Sequence, residues 1–305
     1  MTQDGIGRRM KIGAFSRLGE RTLDGQRVRF NDIKELAVAA EAVGFDSFWL
    51  PDHFIYRPHE PDQLGCWEVF TFLSALASVT AKISLGPLVA ATSFRNPALL
   101  AKMVDALDEI AEGRFILGLG AGNWEPEHIA FGYPFNHRAG RFEEAMQIIA
   151  PLLREGHVDF HGKYYEATDC VLHPRGPSPS GPPIWVGAKG ERMLRTIARY
   201  ADAYNIIWPH DAEQVTEQWE HMVAICKEVG RSPATLELTV GTHVHLPKNG
   251  QPADDDRAIC GTYEEIAAQF QAFAAVGVRH LNVDFRPDIS VQTIEEFASV
   301  LALMQ

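Results

Sequence analysis

Short apolar runs alternate with amphipathic segments along the whole chain, and this regularity leaves few folds open to it. The apolar runs are rich in β-branched and aromatic residues and predict strands, whereas the segments between them repeat apolar residues at helical spacing. The predicted strands are 11–15, 45–50, 83–89, 114–119, 184–187, 203–207, 236–246 and 280–285. The predicted helices that follow them are 31–43, 67–79, 97–111, 138–153, 192–200, 212–229, 263–275 and 291–303.

Strands that alternate with helices form parallel sheets, and this order predicts an α/β fold, a (β/α)8 TIM barrel. A run such as 115–119 (FILGL) is apolar at successive positions, as strands buried on both faces are. An open doubly wound sheet is the alternative, but no Gly-x-Gly-x-x-Gly motif follows the first strand. No linker separates two cores, so we expect a single domain over residues 1–305, with insertions after strands 4 and 7 and a disordered segment at 1–10.

Composition excludes several classes of function. The net charge is -12, and an acidic surface repels nucleic acid and anionic membranes, so neither is an expected partner. No pair of the four cysteines has Cys-x-x-Cys spacing, which indicates a reducing, cytoplasmic environment and no zinc site. The first ten residues lack the apolar core of a signal peptide. The apolar region 69–94 is broken by a lysine, a glycine and a proline, so a buried helix and strand explain it better than a membrane span.

The fourth predicted strand runs directly into a glycine-rich loop. Gly118, Gly120 and Gly122 lack a Cβ, so the backbone can approach a flat ring or a phosphate and can adopt a positive φ. Polar residues follow at once: Asn123, Glu125, Glu127 and His128. A lone Gly-x-Gly is usually a tight turn; here polar residues and glycine-containing turns also follow other predicted strands.

In TIM barrels the active site lies at the carboxyl ends of the strands. Asp52 and His53 follow the second strand, and histidine exchanges protons near neutral pH, although a hydrogen-bonded structural histidine is the alternative. The segment 187–192 (GAKGER) follows the fifth strand and opens a helix, so its amides form a candidate phosphate seat or an ordinary turn. His243 and His245 share one face of the seventh strand and could bind a metal, but no clear carboxylate or histidine cluster completes such a site, so none is expected.

Six motifs, taken in order, resemble the luciferase-like monooxygenase superfamily, and its branch that uses the deazaflavin coenzyme F420 in particular. They are 44–54 (GFDSFWLPDHF), 94–97 (FRNP), 113–122 (GRFILGLGAG), 141–144 (RFEE), 162–165 (GKYY) and 183–187 (PIWVG). The resemblance covers the chain from about residue 11 onward. It implies a barrel fold and a bound F420, with FMN as the alternative cofactor.

The resemblance also implies roles for individual residues. His53 corresponds to the active-site histidine beside the reactive carbon of the ring, and Asp52 to a neighbour that contacts the cofactor. Leu88 and Val89 fall where the family has a non-prolyl cis peptide that forms a bulge behind the ring. The remaining implied cofactor contacts are Ala121, Gly122, Asn123, Gly187, Ala188, Lys189 and Gly190.

One position departs from the family pattern. Some F420-dependent dehydrogenases carry a glutamate directly after the glycine loop as a proton partner, whereas this chain has Asn123 there. Glu125, two residues later, is therefore the second predicted catalytic residue, with His128 as an alternative.

Four hypotheses of function follow. The first is an oxidoreductase that moves a hydride between F420 and a small organic substrate. The others are an FMN-dependent monooxygenase supplied by a partner reductase, a non-catalytic flavin-binding protein, and a metal-dependent hydrolase built on His243 and His245. We expect the loops 56–66, 157–182 and 247–260 to line the substrate pocket, and the family suggests a homodimer.

Overall fold

The computed structural model describes residues 9–20, 27–56, 64–246, 257–286 and 289–304. The predicted disordered segment 1–10 and the predicted pocket loops 56–66 and 247–260 lie largely outside these residues. The strands are β1 (Lys11–Phe15), β2 (Ser47–Leu50), β3 (Ile55–Tyr56), β4 (Leu64–Gly65), β5 (Ser84–Pro87), β6 (Ala90–Ala91), β7 (Leu117–Gly120), β8 (His157–His161), β9 (Glu166–Val171), β10 (Ile184–Val186), β11 (Ala203–Ile207), β12 (Glu237–His245), β13 (Ile259–Cys260) and β14 (His280–Phe285). The helices are α1 (Phe30–Val43), α2 (Val69–Ala77), α3 (Pro97–Ile110), α4 (Glu125–Ala130), α5 (Arg138–Glu155), α6 (Glu191–Tyr200), α7 (Ala212–Glu228), α8 (Tyr263–Ala275) and α9 (Val291–Leu303).

The parallel sheet closes into a barrel, which confirms the predicted fold. Its strand order is β5-β2-β1-β14-β12-β11-β10-β7-β6. The third predicted strand is divided: β5 pairs with β2, and β6 pairs with β7. Closure is completed by backbone hydrogen bonds between Leu85 of β5 and the residues before β7, at 3.1 Å to the Arg114 carbonyl and 2.9 Å from the Ile116 amide. The two segments of the third strand thus join the two ends of the sheet.

Insertions follow the fourth and seventh barrel strands, as predicted. The first contains α4, which precedes α5 in the chain, and an antiparallel hairpin of β8 and β9, which follows α5. In the second, β13 adds to the upper end of β12. The sequence did not indicate α4 or the short β3–β4 ladder. Within the described residues, no helix combines the length and apolar character that a membrane crossing needs.

The barrel is filled from inside by aromatic residues. Trp49 of β2 and Trp185 of β10, two strands that do not pair, meet with ring centroids 4.8 Å apart. They form one inner apolar cluster with Ile116 and Ala203, separate from the larger core between the sheet and the helices. The barrel is therefore packed at this level.

A buried chain of hydrogen bonds joins Trp49 of this inner cluster to β14. The Trp49 indole N–H donates to the Ser47 hydroxyl at 2.6 Å, and that hydroxyl lies 2.7 Å from His280 Nε2. Burial, with a smaller contribution from the charge of Lys11, lowers the pKa of His280 to about 3. The ring is neutral at physiological pH, and the Ser47 oxygen already accepts the indole N–H of Trp49. With the His280 proton on Nδ1, the Ser47 hydroxyl donates to Nε2 and the whole chain runs in one direction.

Candidate active site

The sequence-predicted site residues lie on neighbouring barrel strands. His53 and Asp52 follow β2, which pairs with β5. The Leu88–Val89 peptide joins β5 to β6, β6 pairs with β7, and β7 pairs with β10. The predicted segments 52–53, 88–89, 121–123 and 187–190 thus occupy one continuous arc of the barrel mouth. Strands that are distant in sequence bring them together.

His53 is held by a carboxylate that the sequence did not single out as a site residue. Its Nδ1 lies 3.0 Å from Oε2 of Glu127, whose side chain is 1% exposed while that of His53 is 25% exposed. The other oxygen, Oε1, accepts backbone hydrogen bonds from Phe54 at 2.5 Å and Ile55 at 3.2 Å. The carboxylate therefore fixes both the histidine and the backbone beside it, and the imidazole remains accessible from the mouth.

Helix α4 decides which glutamate reaches the site. Glu125 and Glu127 are both in its first turn, but Glu125 is exposed and Glu127 points into the protein. The catalytic role of Glu125 therefore stays a prediction, and the contact with His53 belongs to Glu127. Burial first, and then the charges of Glu127 and Glu20, raise the pKa of the nearby Cys66 thiol to about 12, so this cysteine is not a nucleophile at neutral pH.

The Asp52 carboxylate is fully engaged by protein groups. Arg95 binds it in a bidentate arrangement, with N···O distances of 2.6 and 3.0 Å, and the Ala91 amide donates to it at 3.0 Å. Arg95 also pairs with Glu68, which caps α2. Burial raises the pKa of Asp52, and the hydrogen bonds and charge of Arg95 oppose that rise. Asp52 ties the ends of β2 and β6 together, and its predicted contact with a cofactor stays a prediction.

The Leu88–Val89 peptide bond is cis, as the resemblance implied. Val89 packs over the glycines of β7: a Cβ built on Gly120 would lie 2.7 Å from Val89 Cγ2, and one on Gly118 would lie 2.1 Å from the Pro87 carbonyl oxygen. Only glycine fits at these two positions of the fourth strand. The glycine-rich loop thus serves to seat the bulge of the third strand.

The loop after β7 rests on a second histidine. His128 is fully buried. Its Nε2 lies 2.8 Å from the Ser93 hydroxyl oxygen, and its Nδ1 lies 3.0 Å from the Trp124 carbonyl oxygen. A carbonyl only accepts, so Nδ1 carries the proton and Ser93 donates to Nε2. The carbonyl of Gly122 accepts from Arg138 at 2.6 Å. Ala121 is partly buried and Asn123 is exposed beside these contacts.

The segment 187–190 leads from β10 into α6. Gly190 is the N-cap with φ 91°. Among the described residues other than its chain neighbours, no side chain caps it and no atom lies within 4 Å of a built Cβ. Gly187 and Ala188 are partly buried, and Lys189 is exposed. An uncapped helix start beside a lysine fits a phosphate group.

The opposite arc of the mouth carries His243 and His245. His243 Nε2 lies 2.7 Å from an Arg286 guanidinium nitrogen, and its ring contacts Trp208 with centroids 4.0 Å apart. A guanidinium at that nitrogen repels a metal cation. Within the described ranges, no group of three or more histidine, cysteine or acidic residues could hold a metal ion. The arrangement therefore does not favour the metal-dependent hydrolase.

Comparison with known proteins identifies similar enzymes. The F420-dependent glucose-6-phosphate dehydrogenase of Amycolatopsis mediterranei is 33% identical over 177 residues, which cover 57% of this chain and 52% of that enzyme. The chain thus spans about half the length of this curated relative.

Two solved structures share the fold. The coenzyme F420-dependent tetrahydromethanopterin reductase from Methanopyrus kandleri superposes with a TM-score of 0.80 at 20% identity, covering 97% of this chain and 100% of that one. An F420-dependent secondary alcohol dehydrogenase in complex with an F420-acetone adduct has a TM-score of 0.81 at 19% identity, covering 97% and 99%. The family model for luciferase-like monooxygenases matches residues 10–258, and the chain therefore belongs to the luciferase-like monooxygenase family.

Proposed function

We propose that the protein is an F420-dependent oxidoreductase that transfers a hydride between the deazaflavin and a small organic substrate. The observation that carries this proposal is His53, a partly exposed imidazole held by a buried glutamate at the end of β2. It lies on the same arc of the mouth as the cis peptide bulge. The relatives named above that use F420 support the choice of cofactor.

The residues present fit such a cofactor. Glycines at 118 and 120 bring β7 against the bulge, and the start of α6 offers amides to a phosphate. Leu88, Val89, Ala121 and Gly122 would then contact the ring, and Gly187 to Gly190 the phosphate. When bound, F420 accepts or supplies a hydride.

His53 would handle the proton that accompanies the hydride. For a substrate with a hydroxyl on the reacting carbon, the C–H bond breaks and its electron pair leaves with the hydrogen as hydride. The O–H proton passes to His53, and the C=O bond forms; the reduction runs the same way in reverse. Because Nδ1 is engaged by Glu127, proton exchange would occur at Nε2.

The test combines binding with turnover. F420 fluorescence is titrated with the purified protein, and F420 reduction is followed with secondary alcohols and glucose 6-phosphate as first substrates, since similar proteins are named for them. We expect saturable binding and turnover that His53→Asn lowers about 10²- to 10⁴-fold with little change in affinity. Bound FMN with oxygen-dependent turnover, or His53→Asn with full activity, contradicts the proposal.

The proposal extends to the cellular context. The family resemblance supports a homodimer and a separate F420 reductase that regenerates the cofactor, and the acidic surface and cysteine usage support a cytoplasmic protein without nucleic acid or membrane partners. Sedimentation velocity at micromolar concentration should give a particle of twice the chain mass; a monomer contradicts this part.

A further inference from the structure

We infer that Glu127 is a positioning residue that holds neutral His53 with its proton on Nδ1, so that Nε2 carries the lone pair. The inference rests on the proposed function for its catalytic meaning, but it concerns the protonation of the protein itself. It assigns a task to a residue of α4 that the sequence motifs do not mark.

The argument starts from the two oxygens of Glu127. Oε1 accepts from the amides of Phe54 and Ile55, and Oε2 faces His53 Nδ1 at 3.0 Å. An ionised carboxylate only accepts hydrogen bonds, so the proton in the bond to His53 must be on Nδ1. A neutral imidazole has one N–H, and Nε2 is then the proton acceptor.

Two other residues of this segment do not make the contact with His53. Asn123, directly after the glycine loop, has no carboxylate, and Glu125 is exposed at the start of α4. Glu127 lies two residues further along α4, is 1% exposed, and contacts the backbone after His53 as well as its ring. The buried carboxylate that faces His53 thus lies four residues beyond Asn123.

The substitution Glu127→Gln tests the inference with little change in shape. A glutamine oxygen can replace Oε1 and keep the bonds from Phe54 and Ile55, which places the amide NH₂ against His53 Nδ1. An amide NH₂ only donates, so the imidazole must accept at Nδ1 and carry its proton on Nε2. The substitution is therefore expected to reverse the tautomer.

The tautomer is read from long-range ¹H–¹⁵N spectra of the cofactor-free protein labelled with ¹⁵N-histidine, recorded at about pH 9, where an ordinary imidazole is neutral. His53 is one of 12 histidines, and its signals are those absent from His53→Asn. We expect Nδ1–H in the wild type and Nε2–H in Glu127→Gln. Glu125→Gln is the matched control on the same helix and should keep the wild-type pattern.

The wild-type spectrum alone decides the inference if Glu127→Gln does not fold. A wild-type His53 that is protonated on Nε2, or on both nitrogens, overturns it, and so does an unchanged tautomer in folded Glu127→Gln. Since these spectra need no cofactor, absence of F420 binding would end the proposed function and leave the tautomer result standing. If F420 binds, Glu127→Gln should lower kcat at least tenfold and change the F420 affinity less than threefold.

Discussion

At Gly122 both the backbone conformation and the packing of the site require the absence of a side chain. Its φ is +74°, and a Cβ there would lie 2.7 Å from Cε1 and 2.8 Å from Nε2 of buried His128. Gly132 has nearly the same φ, +75°, and in the described part of the chain no atom beyond its immediate neighbours lies within 4 Å of a built Cβ. The two glycines therefore separate the effect of backbone conformation from that of packing.

We predict that Gly122→Ala destabilises the protein by about 2–5 kcal/mol, the sum of a positive-φ penalty and an overpacked contact. Gly132→Ala should cost only the conformational part, about 1–2 kcal/mol. Urea denaturation followed by circular dichroism measures both. Equal losses in the two variants would mean that the contact with His128 is relieved without cost.

Among individual residues, the sequence could indicate which residue types form the site. It could not indicate which of two nearby residues of the same type reaches it. His53, the glycines and the cis position at 88–89 follow from motifs, and the structure brings them to one arc. Glu125 and Glu127 have the same chemistry and differ by two positions, so only the start and direction of α4 place one of them against His53. Arg95 was missed for a similar reason, because its partners Asp52 and Glu68 are distant in sequence.

Among the secondary-structure elements, long periodic segments were predictable and short ones were not. The barrel helices were correct to within a few residues because each buries one face against the sheet. Helix α4 has six residues, too few to show a period, and its apolar Ile129 is 70% exposed. The division of the third strand into β5 and β6 depends on the cis peptide between them, which the family resemblance indicated and the residue pattern did not.

The Glu144 side chain of α5 binds the tip of the β8–β9 hairpin. The Glu144 carboxylate accepts the amides of Lys163, Tyr164 and Tyr165 at 2.9, 2.7 and 3.0 Å. Arg141, also on α5, lies 4.6 Å from the centroid of the Tyr164 ring, so the tip of the hairpin is held against the first half of the helix. The predicted substrate loop 157–182 contains this hairpin.

We predict that Glu144→Ala raises hydrogen exchange at residues 163–165 by roughly 10- to 100-fold, because hydrogen bonds to a charged group contribute about 1.5–3 kcal/mol. Glu143→Ala, also on α5, is the control. It removes the ion pair with Arg192 of α6 and should leave the exchange of the amides at 163–165 unchanged. Mass spectrometry of peptic peptides that cover the hairpin makes the measurement. Unchanged protection in Glu144→Ala would show that the turn holds itself.

For the whole molecule, strand order was predictable from the alternation of elements, whereas the contents of the barrel were not. Trp49 and Trp185 are far apart in sequence, and their meeting depends on closure of the sheet. The same closure places His280 of β14 beside Ser47 of β2, with Trp185 at a ring-centroid distance of 4.8 Å from the imidazole. A histidine in an apolar strand thus becomes part of the packed interior of the barrel.

This buried histidine makes the stability of the barrel sensitive to acid. Burial lowers the pKa of His280 to about 3, below the ordinary value of about 6.5 that applies in the unfolded chain. Between these values the unfolded state binds a proton that the folded state does not, so stability is fully present above about pH 6.5 and falls as the pH drops toward 3. Protonation would also direct an Nε2–H at the Ser47 hydroxyl, which now donates to that nitrogen.

From pH 7 to pH 5 this linkage amounts to about 2 kcal/mol, a range in which ordinary carboxylates stay ionised. His280→Gln removes the titration and keeps an amide that can accept from Ser47, so its unfolding free energy should lose about 2 kcal/mol less than the wild type over that range. Urea denaturation at pH 7, 6 and 5 gives both slopes, and the remaining histidines contribute equally to each. Parallel slopes would mean that His280 takes up a proton between pH 7 and pH 5 in the folded barrel as it does in the unfolded chain, which contradicts the lowered pKa.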